Sequence, residues 1–306
     1  MFVRNLDPLD LPLIINYRRR VVMLDSVRQF TSDPPLSLNA LLTNLNPQRD
    51  SYSLISREKN RVLLGQVTHQ NGSTRASLGF LAPEVENITL LTPMLESMLR
   101  RAGEWGCQSL LAEVDEDSAT FRSLRQAGLS MYAWQRAWKL DPASLSGEGG
   151  CWQPAVSADL PGILSLFNQI VPAMMQSVEP PPREPSGLVL RNNDDMQAYL
   201  ALTYGPRGIW IQPLIHPEMN CQPGWLPVIP DRKNRPVYLC VRSYQAWLES
   251  MLDDLGAEPG ERQAVLIRHL TQRKRVEEAL PVKKREPAWA KPATPLTRIH
   301  PTDSDM

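Results

Sequence analysis

The stretch "LLAEVDEDSATFRSLRQAGL" at 110–129 predicts an apolar strand, then an amphipathic helix, then a glycine that ends the helix. The stretch "YLCVRSYQAWLESMLDDLGA" at 238–257 repeats this order. In both, the leucine at the second position lies 17 residues before the glycine, and a leucine (Leu124 or Leu252) stands four residues before it. The two stretches therefore predict that one strand–helix unit occurs twice in the chain.

A second pair of similar stretches lies upstream of each unit. These are "VRNLDPLDLPLI" at 3–14 and "WQPAVSADLPGIL" at 152–164, and each predicts a short strand followed by a helix that begins at Asp-Leu-Pro. Asp10 and Asp159 are then the expected N-caps, with a proline in the first helical turn. The Asp-Leu-Pro motifs lie 149 residues apart and the strand–helix–glycine units 128 apart, so the second copy is about 21 residues shorter in its middle. Two blocks in the same order indicate a duplicated domain.

The repeat predicts a division of the chain into four parts. We expect copy one at 1–140, a glycine-rich linker at 141–150, copy two at 151–271, and a disordered tail rich in charge and proline at 272–306. The repeat also predicts that residues 1–140 fold on their own.

The fold class that we expect is mixed α+β. Copy one shows alternating strand patterns at 51–56, 61–69 and 75–82, with Asn71-Gly72 as a hairpin turn between the last two strands. A helix capped by Thr92 with Pro93 at its first position should follow. Each copy is therefore expected to hold a mostly antiparallel central sheet flanked by helices.

The composition excludes several classes of function. The 33 basic and 33 acidic residues give a formal net charge of zero, so no overall attraction to nucleic acid or to an anionic membrane is expected. No apolar run reaches the roughly 20 residues of a membrane-spanning helix, and the N-terminus has no signal-peptide pattern. The four cysteines are scattered without metal-ligand spacing, so neither a zinc site nor a disulfide framework is predicted. These features favour a cytoplasmic protein.

The order of elements resembles the GNAT family, the acetyl-CoA-dependent N-acetyltransferases, and does so twice. The resemblance rests on the two openings above and on two endings, "LRQAGLSMYAWQRAWKL" at 124–140 and "LDDLGAEPGERQAVLIRHL" at 252–270. It covers about 1–140 and 151–271. It implies a parallel, splayed strand pair in each sheet and acyl transfer from acetyl-CoA to an amine.

The resemblance also implies where acetyl-CoA would bind. Family members hold the pantetheine arm along the splayed strand and the pyrophosphate at a glycine-rich turn before a helix. In copy one the candidate contacts are Phe80, Leu81, Ala82, Thr89 and Thr92.

Both copies depart from the family pattern at this turn. In copy one the turn has no glycine and carries Glu84 and Glu86, which would repel a phosphate. In copy two its one glycine, Gly224, follows a proline.

The residue at the position of the family's catalytic acid is also different in both copies. A tyrosine that protonates the departing thiolate stands four residues before the helix-ending glycine in the family, and here Leu124 and Leu252 occupy that position. No acid is therefore assigned. A base is often a carboxylate on the splayed strands, for which Glu113 and Glu84 are the candidates; solvated carboxylates at strand ends are the alternative interpretation.

Two functions remain open from the sequence. The first is an acyltransferase that uses acetyl-CoA and a small-molecule or peptide amine. The second is an inactive tandem module for binding or scaffolding, with a protein partner at the proline-rich loop "EPPPREPSG" (179–187) or at the tail. A membrane or nucleic-acid partner is not expected.

Overall fold

The computed structural model describes residues 2–36, 51–70, 72–85, 88–145, 152–192, 195–219 and 225–270. The predicted tail at 272–306 and the linker residues 146–150 lie outside these ranges. The two copies together form one compact unit within residues 1–272. No helix in the described ranges is long and apolar enough to cross a membrane.

Copy one contains seven strands and four α-helices in its described part. They are β1 (Phe2–Asn5), α1 (Leu11–Tyr17), β2 (Val22–Met23), α2 (Ser26–Thr31), β3 (Ser51–Glu58), β4 (Arg61–His69), β5 (Arg75–Ala82), α3 (Ile88–Glu104), β6 (Ser109–Asp115), α4 (Ala119–Gln126) and β7 (Ser130–Lys139).

Copy two repeats the opening and the ending of copy one around a shorter middle. Its described elements are β8 (Gln153–Pro154), α5 (Leu160–Ile170), α6 (Ala173–Gln176), β9 (Gly187–Asn192), β10 (Asp195–Tyr204), β11 (Ile209–Ile215), β12 (Val237–Arg242), α7 (Leu248–Asp254) and β13 (Glu258–His269).

One continuous sheet runs through both copies. Its strand order is β1-β3-β4-β5-β6-β13-β7-β12-β11-β10-β9-β8, and β2 pairs with β5 outside this path. The pairs are antiparallel except for β5 with β6 and β11 with β12. The mixed α+β class, with one parallel pair in each copy, is thus confirmed.

The two copies exchange their last strands at the centre of the sheet. Strand β13 of copy two lies between β6 and β7 of copy one, while β7 lies between β13 and β12. Each copy therefore completes its sheet with a strand from the other. This differs from the expectation that residues 1–140 fold alone, because the repeat shows which elements recur but not which partners they pair with. The boundaries at 140 and 151 remain a prediction.

Each parallel pair touches only at its beginning. In copy one the pairing covers Arg75–Ser77 with Ser109–Leu111, and in copy two Ile209–Ile211 with Val237–Leu239. Beyond these residues the strands are no longer paired with each other, so each copy has the splayed pair that the resemblance implied.

The helix ends of the repeated unit match. Gly128 and Gly256 both adopt a left-handed conformation, with φ of 91° and 72°. The next residue donates its N–H back to the carbonyl of Leu124 (3.1 Å) or Leu252 (3.0 Å). This is the Schellman-type ending that favours glycine. Both leucine side chains are fully buried, one in the core of each copy.

Two local predictions were wrong, namely the start of α3 and the side-chain cap of α1, although Asp10 does stand at the N-cap position of α1 with Pro12 in the first turn. Helix α3 begins at Ile88 rather than at Thr92, so Pro93 lies inside the helix and the Thr92 hydroxyl donates to the Ile88 carbonyl (3.1 Å). Asp10 does not cap α1 through its side chain. A 3-10 turn precedes this helix, and the Asp10 carboxylate accepts from the Asp7 N–H (2.9 Å) and from Arg4 instead.

Copy two repeats this departure. Asp159 also makes no side-chain cap bond to its helix; it accepts from the Val156 N–H (2.8 Å) and pairs with Arg191. Both aspartates are nearly buried. The Asp-Leu-Pro motif thus marks a buried, ion-paired carboxylate in each copy.

Candidate functional site

A cavity of about 420 Å³ lies between the two copies. Copy one supplies residues from β4, β5, β6 and the start of α2, and copy two supplies residues from β10 and β11, from Arg242 at the end of β12, and from the segment 167–182. Its volume lies within the roughly 300–1,000 Å³ of small-molecule sites.

The structure separates the two predicted bases. Glu113, near the end of β6, lines the cavity; its Oε2 accepts from the Ser26 N–H (2.8 Å), and its Oε1 lies 3.4 Å from Arg242 Nη2. Glu84 is exposed, does not line the cavity, and accepts from the Ala119 N–H (3.1 Å) at the start of α4. Only Glu113 is therefore placed to meet a molecule in the cavity.

Arg242 joins the carboxylates of the cavity wall. Besides Glu113, it reaches Glu179, whose Oε1 lies 3.3 Å from Arg242 Nε. Glu179 also accepts hydrogen bonds from Tyr132 (3.0 Å) and Tyr244 (2.8 Å). Burial works against the charged guanidinium, but Glu179 and the other anionic groups nearby outweigh it and raise the pKa of Arg242. Burial raises the pKa of both tyrosines, so their hydroxyls stay protonated as donors.

Sequence reasoning missed this cluster, although it noted some of its members. Tyr132 and Tyr244 were not among the candidate residues, and Glu179 was noted only as the first residue of the proline-rich loop. Glu179 is also hydrogen-bonded through its N–H to the Met175 carbonyl (2.7 Å), which fixes the start of this loop beside the cavity. No local sequence signal points to their meeting.

Asp25 is a second carboxylate beside Glu113. It is the N-cap of α2, and its Oδ1 accepts from the Arg28 N–H (3.1 Å). Burial, together with the charge of Glu113, raises the pKa of Asp25 to about 6. The cavity therefore holds two carboxylates that repel each other and that a cation would stabilise.

Arg75, at the start of β5, is a cation on another part of the cavity wall. Its Nη1 donates to the Val178 carbonyl (2.9 Å), which ties copy one to copy two. In the described ranges no carboxylate lies within ion-pair distance of Arg75, and burial lowers its pKa.

The splayed strands of copy one are bridged by the chain itself. Strand β2 pairs with Phe80 and Leu81, the Leu24 N–H donates to the Gly79 carbonyl (3.0 Å), and the Glu113 N–H donates to the Leu24 carbonyl (2.9 Å). The predicted contacts Phe80, Leu81 and Ala82 are fully or nearly fully buried. The strand edge that a pantetheine arm would use is thus already hydrogen-bonded.

The predicted phosphate turn of copy one is also engaged. The Val85 N–H donates to Thr120 Oγ1 (3.2 Å), and Ser123 donates to the Val85 carbonyl (2.9 Å). Thr89 is exposed in the first turn of α3, whereas the Thr92 hydroxyl is used inside that helix. Glu86 lies outside the described residues. The roles of Thr89 and Thr92 stay predictions.

The splayed strands of copy two are filled by a side chain. Gln245 is fully buried, donates to the Pro213 carbonyl (2.9 Å) and accepts from the Ile215 N–H (3.0 Å) on β11. Gly224 lies outside the described residues. As arranged here, the described residues of neither copy fit the pantetheine arm of acetyl-CoA.

Comparison with known proteins supports the fold. No family model and no curated protein matches the chain. The chain is similar to the structure of a GCN5-related N-acetyltransferase from Sphaerobacter thermophilus, with 14% identity, a TM-score of 0.53, and coverage of 88% of this chain and 95% of that one. The chain is also similar to a tandem GNAT protein from the clavulanic acid biosynthesis pathway, with 12% identity, a TM-score of 0.48, and coverage of 89% of this chain and 99% of that one. The chain therefore has the GNAT fold, present in two copies.

Proposed function

We propose that the protein is an acyltransferase whose amine acceptor binds in the central cavity. The observation that carries the proposal is the position of Glu113. It lies on a splayed strand of a GNAT fold, and its carboxylate lines a cavity large enough for a small molecule.

The cavity residues suit an amine. Asp25 and Glu113 together would hold the acceptor as an ammonium ion, because each carboxylate raises the proton affinity of its neighbourhood. Glu113 would then accept the proton that the amine nitrogen loses. Acetyl-CoA would supply the acyl group: the freed amine would bond to the acetyl carbon, the thioester C–S bond would break, and coenzyme A would leave as the thiol with the second proton that the nitrogen loses. The described residues offer it no preformed site, so Val22–Leu24 or Gln245 would have to leave a strand edge first.

The test is acetyl transfer by the full-length protein from acetyl-CoA to a panel of primary amines, followed as thiol release. Glu113→Gln keeps the acceptor for the Ser26 N–H but removes the base, and should lower the rate at least about 100-fold. Glu84→Gln is the matched comparison and should leave the rate within about twofold. Equal rates in both variants would contradict the role of Glu113.

A second function, small-molecule binding without catalysis, is favoured by the bonded strand edges of both copies. Buried leucines at the two acid positions favour it as well. Calorimetric titration of acetyl-CoA into the full-length protein separates the two functions. Micromolar binding supports acyl transfer, whereas no binding at millimolar acetyl-CoA supports the binding module.

A further inference from the structure

We infer that the central cavity is a site for a small aminocarboxylate, a molecule that carries both an amine and a carboxylate on an apolar body. If the aminocarboxylate is the acyl acceptor, the inference rests on the proposed acyl transfer. If the cavity only binds the aminocarboxylate, the inference is independent of that proposal. Three parts of the cavity wall would contact such a molecule.

The first part would hold the amine. Asp25 and Glu113 both line the cavity. Arg28 lies 3.5 Å from Asp25 with its side chain 42% exposed, and Arg242 lies 3.4 Å from Glu113 but is shared with Glu179. Among the described residues, these three carboxylates therefore have only two arginines at ion-pair distance, which leaves one negative charge of the group uncompensated. An ammonium group between the two carboxylates would supply the missing positive charge.

The second part would hold the carboxylate. Arg75 lines the cavity, and its guanidinium makes one hydrogen bond among the described residues, to the Val178 carbonyl, which leaves most of its five donors without an acceptor there. Arg242 also lines the cavity and is nine-tenths buried. Among the described residues its Nη1 has no hydrogen-bond partner, and its Nε lies 3.3 Å from Glu179 Oε1 without forming a hydrogen bond. Unsatisfied guanidinium donors in a buried site favour a ligand with an oxyanion.

The third part would contact the body of the ligand. The cavity is also lined by apolar and aromatic residues of copy two, namely Phe167, Val171, Tyr199, Trp210 and Leu214. Phe30 of α2 stacks against Trp210 with ring centroids 5.6 Å apart, which fixes this wall. An apolar or aromatic side chain would exclude water there. L-Leucine and L-phenylalanine are therefore suitable probes.

The experiment is calorimetric titration of L-phenylalanine and L-leucine into the full-length protein, without acetyl-CoA. Phenethylamine, which lacks the carboxylate, and 3-phenylpropionate, which lacks the amine, are the matched ligands. At least one amino acid should bind, and each matched ligand should bind at least about tenfold more weakly than L-phenylalanine. Equal affinity for L-phenylalanine and either analogue, or no binding of either amino acid, would overturn the inference.

Two variants test which residues bind the amine and the carboxylate of the ligand. Arg75→Gln should lower the affinity for L-phenylalanine at least about tenfold and leave the affinity for phenethylamine unchanged. Asp25→Asn should lower the affinity for L-phenylalanine and leave the affinity for 3-phenylpropionate unchanged. Arg100→Gln and Asp253→Asn, at exposed positions outside the cavity, should change neither affinity. An unchanged L-phenylalanine affinity in Arg75→Gln would contradict the site. The analogue series on the unchanged protein decides the matter if a variant fails to fold.

The outcome also separates this inference from acyl transfer. Amino-acid binding without acetyl transfer would refute the proposed catalysis and leave the site standing. Acetylation of amines that lack a carboxylate, with no amino-acid binding, would refute the site alone.

Discussion

At the scale of single residues, two opposing effects act on the ionisation of the Asp25 carboxyl group. The carboxylate caps α2, which favours the charged form, while burial and Glu113 favour the neutral form. The second effect is larger, since the pKa rises from 3.8 to about 6. In the free chain the group would titrate near its ordinary value, so the folded state binds the proton more tightly. This residue therefore lowers stability as the pH rises from about 4 through about 6.

Asp25→Asn removes this pH dependence. Asparagine is as good an N-cap as aspartate, so the capping bond is kept while the buried charge is lost. At pH 7.5 we expect a gain of about 3 kcal/mol in the free energy of unfolding, and near pH 3.5 almost none. Urea denaturation at both pH values measures this, with the exposed Asp253→Asn as the control. A gain of equal size at both pH values would contradict the assignment.

The variant Leu124→Tyr tests whether copy one has room for the tyrosine that the family carries as its catalytic acid. The Leu124 side chain is fully buried in the core of copy one, so a tyrosine there would place a hydroxyl and extra volume among apolar neighbours. Leu124→Tyr should lower the free energy of unfolding by about 2–3 kcal/mol. Phe121→Tyr, half-buried on the same helix, should cost less than about 1 kcal/mol. Urea denaturation compares the two, and an unchanged stability in Leu124→Tyr would show that this position has room.

At the scale of elements, each splayed strand pair has acquired an internal occupant. In copy one a backbone segment runs from β2 to the start of α2, and in copy two a single glutamine side chain bonds to β11. Both satisfy strand-edge donors and acceptors that would otherwise be buried without partners, which explains how the splay is kept without a ligand. The occupants differ in kind, so the two copies have diverged at this point.

Gln245→Met tests the occupant of copy two. Methionine has a similar length but makes neither bond, so the Ile215 N–H and the Pro213 carbonyl would lose their partner. We expect the free energy of unfolding to fall by about 2–4 kcal/mol, because each buried unsatisfied group costs about 1–3 kcal/mol. Gln169→Met, on the exposed face of α5, is the control. If chemical denaturation shows the same small loss for both variants, Gln245 does not hold the splay in place.

At the scale of the whole molecule, the exchanged strands make the two copies one folding unit. Strand β7 pairs only with β12 and β13 among the described strands, and both belong to copy two. Residues Ala264–Leu266 of β13 are completely buried beside β6 and β7. Separation of the copies would expose this apolar strand surface to water.

We therefore expect residues 1–140 and 151–306, expressed separately, to lack cooperative unfolding. The two fragments should form a 1:1 complex when co-expressed, because the missing strands are then supplied. Circular dichroism melts and size-exclusion chromatography measure both outcomes, with the full-length chain as the reference. A fragment 1–140 that melts as cooperatively as the full chain would contradict the importance of the exchange.

The sequence by itself determined the features that depend on local chemistry. The duplication, the helix-ending glycines Gly128 and Gly256, and the strands at 61–69 and 75–82 follow from periodicity and backbone preference, which act over a few residues. The candidate Glu113 could be named because it stands on a predicted splayed strand. Glu84 was named for the same reason, and the sequence alone could not show which of the two carboxylates lines the cavity.

Only the tertiary structure decided which groups meet. The strand exchange, the segment that bridges the splayed strands of copy one, and the cluster of Asp25, Glu113, Arg242 and Glu179 all join residues that are far apart in the chain. Such contacts arise from the packing of whole elements, and no short stretch of sequence encodes them. The fold was therefore readable from the local pattern, whereas the cavity, and with it the proposed function, required the assembled sheet.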